Sequence, residues 1–155
     1  STRLGMIAAV RGALDKARPG VSVRPIDDSY LKAGRGLANL RKTGRLFGVD
    51  TVVLLSLDRH FQPADAPGLV RVATATGARD VYLSAQTLLT YIDMAVIDLA
   101  SGQVTDARQV SSELGVDAKT WGDARLRRRA EADATAQALQ SLQAALREDW
   151  VLARR

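Results

Sequence analysis

The chain has 155 residues, of which 46% are hydrophobic and 25% are charged, and these values are typical of a single globular domain. It contains no cysteine, which excludes disulfides, thiolate nucleophiles and zinc–cysteine sites. The net charge of +5 is uneven, because residues 1–50 hold ten Lys or Arg and only four Asp or Glu. This basic third is a candidate surface for phosphates, nucleic acid or lipid headgroups. Nucleic acid is the less favoured of these, since seven aromatic residues offer little surface for base stacking.

The first 58 residues predict two helices, a short extended segment and a strand. The first helix ends at Pro19, and VSV at 21–23 is extended. The second helix starts at Gly36 and ends at Gly48, which occupies the position that favours a left-handed glycine. The run DTVVLLSLD at 50–58 is apolar throughout, which predicts a central strand covered on both faces. The expected packed face of the first helix comprises Leu4, Ile7, Ala8 and Leu14.

The remaining elements are mostly strands. We predict an exposed loop at 60–68, a strand at 69–76, and a turn at 77–80, the sequence GARD. Residues 81–99 are apolar enough for one long strand with a bend, because nineteen residues exceed a usual strand length. Ser101-Gly102 then makes a tight hairpin turn into an antiparallel strand.

A long C-terminal helix completes the chain. Thr120 and Asp123 resemble a capping box at its start, and the helix runs to about Glu148. The element order predicts an α+β fold: a mostly antiparallel sheet of four to five strands packed against helices, in a single α/β sandwich domain spanning 1–155.

Two carboxylates, Asp93 and Asp98, lie inside the apolar stretch and look at first like paired catalytic acids. They are five residues apart, and an odd separation in a strand places two side chains on opposite faces. We therefore expect no carboxylate dyad. Asp98 precedes the hairpin turn, where its oxygens can accept turn amide hydrogens.

His60 is the single histidine and follows Asp58 at the end of the predicted central strand. One hypothesis is a hydrolase or transferase that uses this pair. No second histidine exists for a multi-histidine metal site, and no GxSxG motif accompanies it. A Walker A loop is also excluded, because Gly-Lys never occurs. We predict no catalytic residue, no metal and no cofactor.

Basic residues form two clusters that are the candidate binding residues. One lies on the second predicted helix and the other at the start of the long helix, where cations oppose the helix dipole. The first basic cluster is Arg41, Lys42 and Arg45; the second basic cluster is Arg125, Arg127, Arg128 and Arg129.

The stretch SYLKAGRGLANLRKTGRLFGVDTVVLLSLD at 29–58 and the stretch YIDMAVIDLASGQV at 91–104 carry a resemblance to bacterial envelope lipoproteins. Together they resemble the rhombotarget lipoprotein family. More broadly, the hairpin is similar to that of curli-secretion, penicillin-binding-protein activator and exopolysaccharide-export lipoproteins. The resemblance spans about residues 29–112. The hairpin residues that carry it are Asp98, Leu99, Ala100, Ser101, Gly102 and Val104.

This resemblance implies a non-enzymatic, periplasmic domain that acts through protein contacts in envelope assembly or secretion. Its partners would be other envelope proteins, with a homo-oligomer as a further possibility. It also implies an outer-membrane lipid anchor on a segment before Ser1. The alternative is a basic module that binds nucleic acid or acidic polysaccharide.

Overall fold

The computed structural model describes residues 2–74 and 77–152, with side chains as far as residue 147. Its helices are α1 (Thr2–Ala17), α2 (Ser29–Lys32), α3 (Gly36–Phe47), α4 (Ala118–Gly122) and α5 (Ala124–Leu152). Its strands are β1 (Thr51–Gln62), β2 (Gly68–Thr74), β3 (Gly77–Leu83), β4 (Thr87–Asp98) and β5 (Val104–Gly115).

The predicted α+β class is confirmed, with antiparallel strands packed against helices. Within the described residues the strands form two sheets, one in the order β1-β4-β5 and one made of β2 and β3. The expectation that 50–58 forms a central strand was wrong, because β4 occupies the centre and β1 lies at the edge. An apolar run of this kind is also found in central strands, so composition alone does not assign its place in the sheet.

The segment 81–99 is broken rather than bent. β3 ends at Leu83 and β4 begins at Thr87, and between them Gln86 adopts a positive φ of 56°. The amide of Gln86 donates to the Gln62 carbonyl oxygen at 3.0 Å, which ties the break to the end of β1. The turn predicted at 77–80 was wrong, since these residues begin β3 and pair with β2. β1 likewise continues to Gln62, so the predicted loop at 60–68 starts later.

Helices α1 and α5 cover one face of the three-stranded sheet. The predicted inner face of α1 was wrong at Leu4 and Ala8, which are both exposed. The helix instead turns small residues inward, because it lies close to α5: a Cβ on Gly5 would be 2.9 Å from a methyl carbon of Leu139. The buried residues of this core are Met6, Ala9, Val10, Ala13, Ala17, Ile92, Met94, Ala138, Leu142 and Leu146.

Helix α3 packs against the β4–β5 hairpin. A Cβ on Gly44 would overlap the side chain of the buried Leu99, so the contact requires glycine at this position. Gly48 ends the helix in the left-handed conformation (φ 66°), as predicted. Helix α3 therefore packs against the hairpin at the end of the sheet where β1 begins.

The long helix starts with a different cap from the predicted one. Asp117 accepts the Thr120 amide and caps α4, and Asp123 accepts the amides of Arg125 and Leu126 and caps α5. The sequence contains two short-range Asp caps in succession, and the second one defines α5. Carboxylates are favoured at such positions because the first amides of a helix have no partner within it.

Candidate functional site

Asp98 shapes the hairpin turn. Its Oδ2 accepts the Ser101 amide at 3.0 Å and the Ser101 hydroxyl at 2.6 Å. The Ser101 hydroxyl and amide lower the pKa of Asp98, since both donate to the charged form. The pairing of β1 with β4 runs without a shift from Thr51 opposite Asp98 to Gln62 opposite Thr87, so Asp93 and Asp98 lie on opposite faces, as expected.

Asp93 lies instead near a tyrosine. Tyr91 pairs with Asp58 of β1, and Asp93 is two residues further along β4 on the same face. Burial raises the pKa of the Tyr91 phenol, and the carboxylates of Asp58 and Asp93 raise it further. A phenol held in its neutral form is a weak general base, so this group offers little for proton transfer near neutral pH.

His60 lies in β1, and its Nε2 is 2.9 Å from Oε1 of Gln62. Both side chains point to the same face of the strand as Asp58. Among the described residues, no three His, Asp or Glu side chains come together as a possible metal site. The hypothesis of an enzyme that uses Asp58 and His60 is not tested by these contacts and stays a prediction.

The three residues of the first basic cluster do not share one role. Arg41 donates from Nε to the Leu99 carbonyl oxygen at 2.8 Å and from Nη2 to that of Ala100 at 3.1 Å, so its guanidinium fixes the hairpin. Lys42 and Arg45 are exposed. Only these two of the three residues present a cation to solvent in a form suited to binding.

One arginine of the second basic cluster, Arg127, lies beside an aromatic stack. Trp121 stacks on Phe61 with ring centroids 4.2 Å apart, and the Arg127 guanidinium lies 5.6 Å from the Trp121 ring. Arg127 also forms an ion pair of 3.9 Å with Glu131. Arg125, Arg128 and Arg129 are exposed.

The two clusters lie at opposite ends of the sheet. Arg41 contacts the hairpin that follows Asp98, opposite the start of β1, whereas Trp121 contacts Phe61 at the end of β1. A strand of 12 residues spans about 36 Å, so the clusters do not form a continuous surface.

A groove of about 1790 Å³ lies beside the outer edge of β1 in the described residues. We call it the edge groove. Its floor is formed by residues 51–57 of β1, and α1 and α3 line it as well. The connection between α1 and α2 faces β1 through residues 21–26. This groove is not evident from the sequence, because it arises from the tertiary arrangement of several elements.

The floor of the edge groove is apolar on both faces of the strand. Val53, Leu55 and Leu57 point toward α1 and α5 and contact the main core, but they remain partly exposed. Val52 and Leu54 point to the opposite face and are also only half-buried. The other edge of β1 pairs with β4 along its whole length, and no described strand pairs with the edge that faces the groove.

The charged lining of the edge groove is mostly basic. It contains six arginines and four aspartates. Two of the arginines are neutralised within the lining, because Arg3 pairs with Asp28 at 3.8 Å and Arg108 pairs with Asp106 at 2.8 Å. Arg18, Arg24 and Arg45 have no ion pair with a described carboxylate, and Asp50 and Asp98 have none with a described base. The lining therefore carries a small net positive charge.

No helix in the described part of the chain is long and apolar enough to span a membrane. Comparisons with protein-family models, with curated proteins and with solved structures find no match.

Proposed function

We propose that the chain is a non-enzymatic interaction domain that binds an extended segment of a partner protein along the outer edge of β1. The observation that carries this proposal is the mismatch between the sequence of β1 and its place in the sheet. Residues 52–55 are VVLL, and neither lysine nor proline interrupts β1. Solvent-facing edge strands usually carry such residues, because an open edge invites pairing with other chains.

A strand that enters the groove would complete the sheet. Its main chain would pair with the unpaired amides and carbonyls of β1, and alternate side chains would cover Val52 and Leu54 on one face and Val53 and Leu55 on the other. In this binding mode the main-chain hydrogen bonds provide affinity and the side-chain positions provide specificity.

The lining of the groove selects the chemistry of the partner segment. No described carboxylate pairs with Arg18, Arg24 or Arg45 of the groove lining, so a segment with acidic residues beside its apolar core is favoured over a basic one. The expected partner is therefore a strand-forming segment of alternating β-branched residues flanked by Asp or Glu.

The cellular setting proposed for this interaction is the bacterial envelope. Its support is the resemblance of residues 29–112 to envelope lipoproteins, in which such a domain would meet other envelope proteins in the periplasm while a lipid holds it at the outer membrane. The sequence upstream of Ser1 tests this part. A lipobox cysteine there supports it, and a start codon directly before Ser1 contradicts it.

The binding proposal can be tested with a fluorescent peptide of alternating Val and Thr flanked by Glu. Fluorescence anisotropy should report saturable binding. A peptide of the same sequence with N-methylated amides on alternate residues should not bind, because it keeps the side chains but cannot form the ladder. Equal binding of the two peptides would contradict strand addition.

Charge variants locate the site. Reversal of both Arg18 and Arg45 to Glu should weaken binding about tenfold, since both line the groove. Arg128→Glu is the matched control, because this exposed arginine lies on α5 outside the groove lining. If Arg128→Glu weakens binding as much as the groove variants do, the peptide binds elsewhere.

A second candidate function is anion binding by the second basic cluster. It is favoured by the exposure of Arg125, Arg128 and Arg129 on a single turn of α5. Binding of single-stranded DNA or an acidic polysaccharide through these residues should fall steeply with rising salt, because counterion release dominates such contacts. Absence of binding at about 50 mM salt would remove this candidate.

A further inference from the structure

The connection between α1 and α2 runs beside the edge groove and forms neither helix nor strand at residues 21–26. We define residues 21–26, VSVRPI, as the strap. All six of its residues line the groove that β1 also lines, yet the strap forms no ladder with β1 in this structure. We propose that the strap is a built-in competitor for the edge of β1, which closes onto that edge as an additional strand and opens to admit the partner segment. This inference rests on the proposed peptide-binding function.

The sequence of the strap suits an edge strand. Val21, Val23 and Ile26 are β-branched, a residue type that is enriched in strands. Pro25 has no amide hydrogen, so proline is tolerated in a sheet only at an edge or at a strand end. A strap that pairs with β1 becomes the new edge, which is where proline is allowed.

Side chains, and not a main-chain ladder, hold the strap in its open position. Arg3 donates to the Ile26 carbonyl oxygen at 2.7 Å, Arg11 to that of Val23 at 3.4 Å, and Arg24 reaches the Phe47 carbonyl oxygen at 2.9 Å. All three contacts are exposed. Exposed hydrogen bonds of this kind each contribute little net stability, so their exchange for main-chain pairing has a small free-energy difference.

Both ends of the strap are suited to a change of position. At one end Gly20 has a φ of 92°, which glycine adopts freely, and the Val21 amide donates to the Arg18 carbonyl oxygen at 3.2 Å. At the other end Asp27 accepts the Ser29 amide at 2.9 Å, which forms a local turn just before α2. The strap therefore lies between two local turns that need not be broken when it closes.

Closure would regulate binding by mass action. The apparent affinity for the partner segment falls in proportion to the fraction of molecules in the open state. A partner that carries acidic flanks competes better, because it engages Arg18 and Arg45, whereas the strap contributes a further arginine, Arg24.

Cysteine crosslinking tests closure, and the chain is suited to it because it has no cysteine of its own. Val23→Cys is combined in turn with Cys at positions 52, 53, 54 and 55 of β1, and disulfide yields are measured under mild oxidation. A disulfide requires Cα atoms within about 7 Å and side chains that point toward each other. Closure as a strand predicts one position of high yield with its immediate neighbours suppressed, because they point to the opposite face.

Ser22→Cys provides the matched control for this scan. Ser22 points to the opposite face from Val23 in an extended strap, so its position of highest yield should move to a β1 residue of the opposite face. Uniform yields for both cysteines would indicate random motion and would overturn strand closure. Absence of any crosslink would overturn it equally.

The variant with the highest disulfide yield then tests whether closure of the strap reduces peptide binding. In its oxidised form the peptide affinity should fall about tenfold or more, and reduction should restore it. Alternating crosslinks together with no peptide binding in the reduced form would remove the proposed function and leave closure intact. Normal peptide binding together with no crosslink at any position would contradict closure of the strap and leave the proposed function intact.

Discussion

The Nε of Arg41 lies 2.8 Å from the main-chain oxygen of Leu99, and its Nη2 lies 3.1 Å from that of Ala100. A residue of α3 therefore satisfies two carbonyl groups of a hairpin that is 58 residues away in the chain. The guanidinium is suited to this because its planar donors reach two acceptors at once.

Replacement of Arg41 by Ala should lower the free energy of unfolding by about 1 to 3 kcal/mol, since two carbonyls lose a charged donor. Urea denaturation followed by circular dichroism measures this. The control is Arg45→Ala, whose exposed side chain should change stability by less than about 0.5 kcal/mol. Equal effects of the two substitutions would mean that Arg41 stabilises the fold only through its positive charge and not through its two hydrogen bonds.

Gly44 should be the least replaceable glycine of α3. Gly44→Ala places a methyl group against the Leu99 side chain and 3.1 Å from the Val49 carbonyl oxygen, so we expect a loss of about 1 to 3 kcal/mol from overpacking. Gly12→Ala in α1 is the matched control, because nothing lies within 4 Å of its added Cβ. That substitution should stabilise the helix by about 0.5 to 1 kcal/mol, and thermal unfolding distinguishes the two directions.

Thr90 offers a stabilising substitution. Its side chain is fully buried, and its hydroxyl oxygen has no hydrogen-bond partner among the described residues. Thr90→Val keeps the shape and removes the unsatisfied group, so the free energy of unfolding should rise by about 1 kcal/mol.

Its neighbour across the strand pair, Ser112, gives the opposite expectation. The Ser112 hydroxyl donates to the Ala134 carbonyl oxygen at 2.9 Å, so Ser112→Ala should destabilise the chain. Urea midpoints measure both variants. A loss of stability in Thr90→Val would mean that the Thr90 hydroxyl has a partner, such as a buried water molecule.

The hairpin should contribute to acid sensitivity. The pKa of Asp98 is lowered in the folded chain, so above about pH 5 the carboxylate is charged in both the folded and unfolded states, and its stabilising effect is complete. As pH falls, the unfolded chain binds this proton first, and stability is lost until pH passes the folded pKa. Asp98→Asn should flatten this part of the stability profile.

Ser101→Ala separates the two causes of this shift. It removes the hydroxyl donor, which is the larger cause, and keeps the amide donor, so the acid-dependent loss should shrink without disappearing. Urea midpoints measured between neutral and acidic pH test both variants. An unchanged slope in Asp98→Asn would assign the acid sensitivity to other carboxylates.

Local signals in the sequence predicted local structure well. The Ser-Gly turn, the glycine that ends α3, and the separation of Asp93 from Asp98 all depend on neighbours within a few residues, and each is found in the structure. The turn expected at 77–80 failed because these residues pair with β2, and tertiary pairing overrides the turn preference of Gly77 and Asp80.

The candidate site depended on relations that a sequence does not display. Nothing around Arg41 indicates that it would reach Leu99, and nothing in the run VVLL distinguishes a central strand from an edge strand that lacks a neighbour. The strap was predicted to be extended at 21–23, but its separation from β1 is a matter of tertiary arrangement. The groove therefore exists only in the tertiary arrangement of the helices, the strap and β1.

The elements that line the edge groove also affect the tendency of the chain to aggregate. A strand with the apolar run VVLL at 52–55 and an open edge can act as a template for aggregation, because each added chain would present a new edge to the next. Here α1 and α3 line the groove beside that edge, so we expect them to hinder the addition of further strands. Pro25 lies in the strap, which lines the same groove, and a sheet that ends in proline does not readily extend further. The geometry that we propose to admit a partner strand would thus also restrict further growth of the sheet.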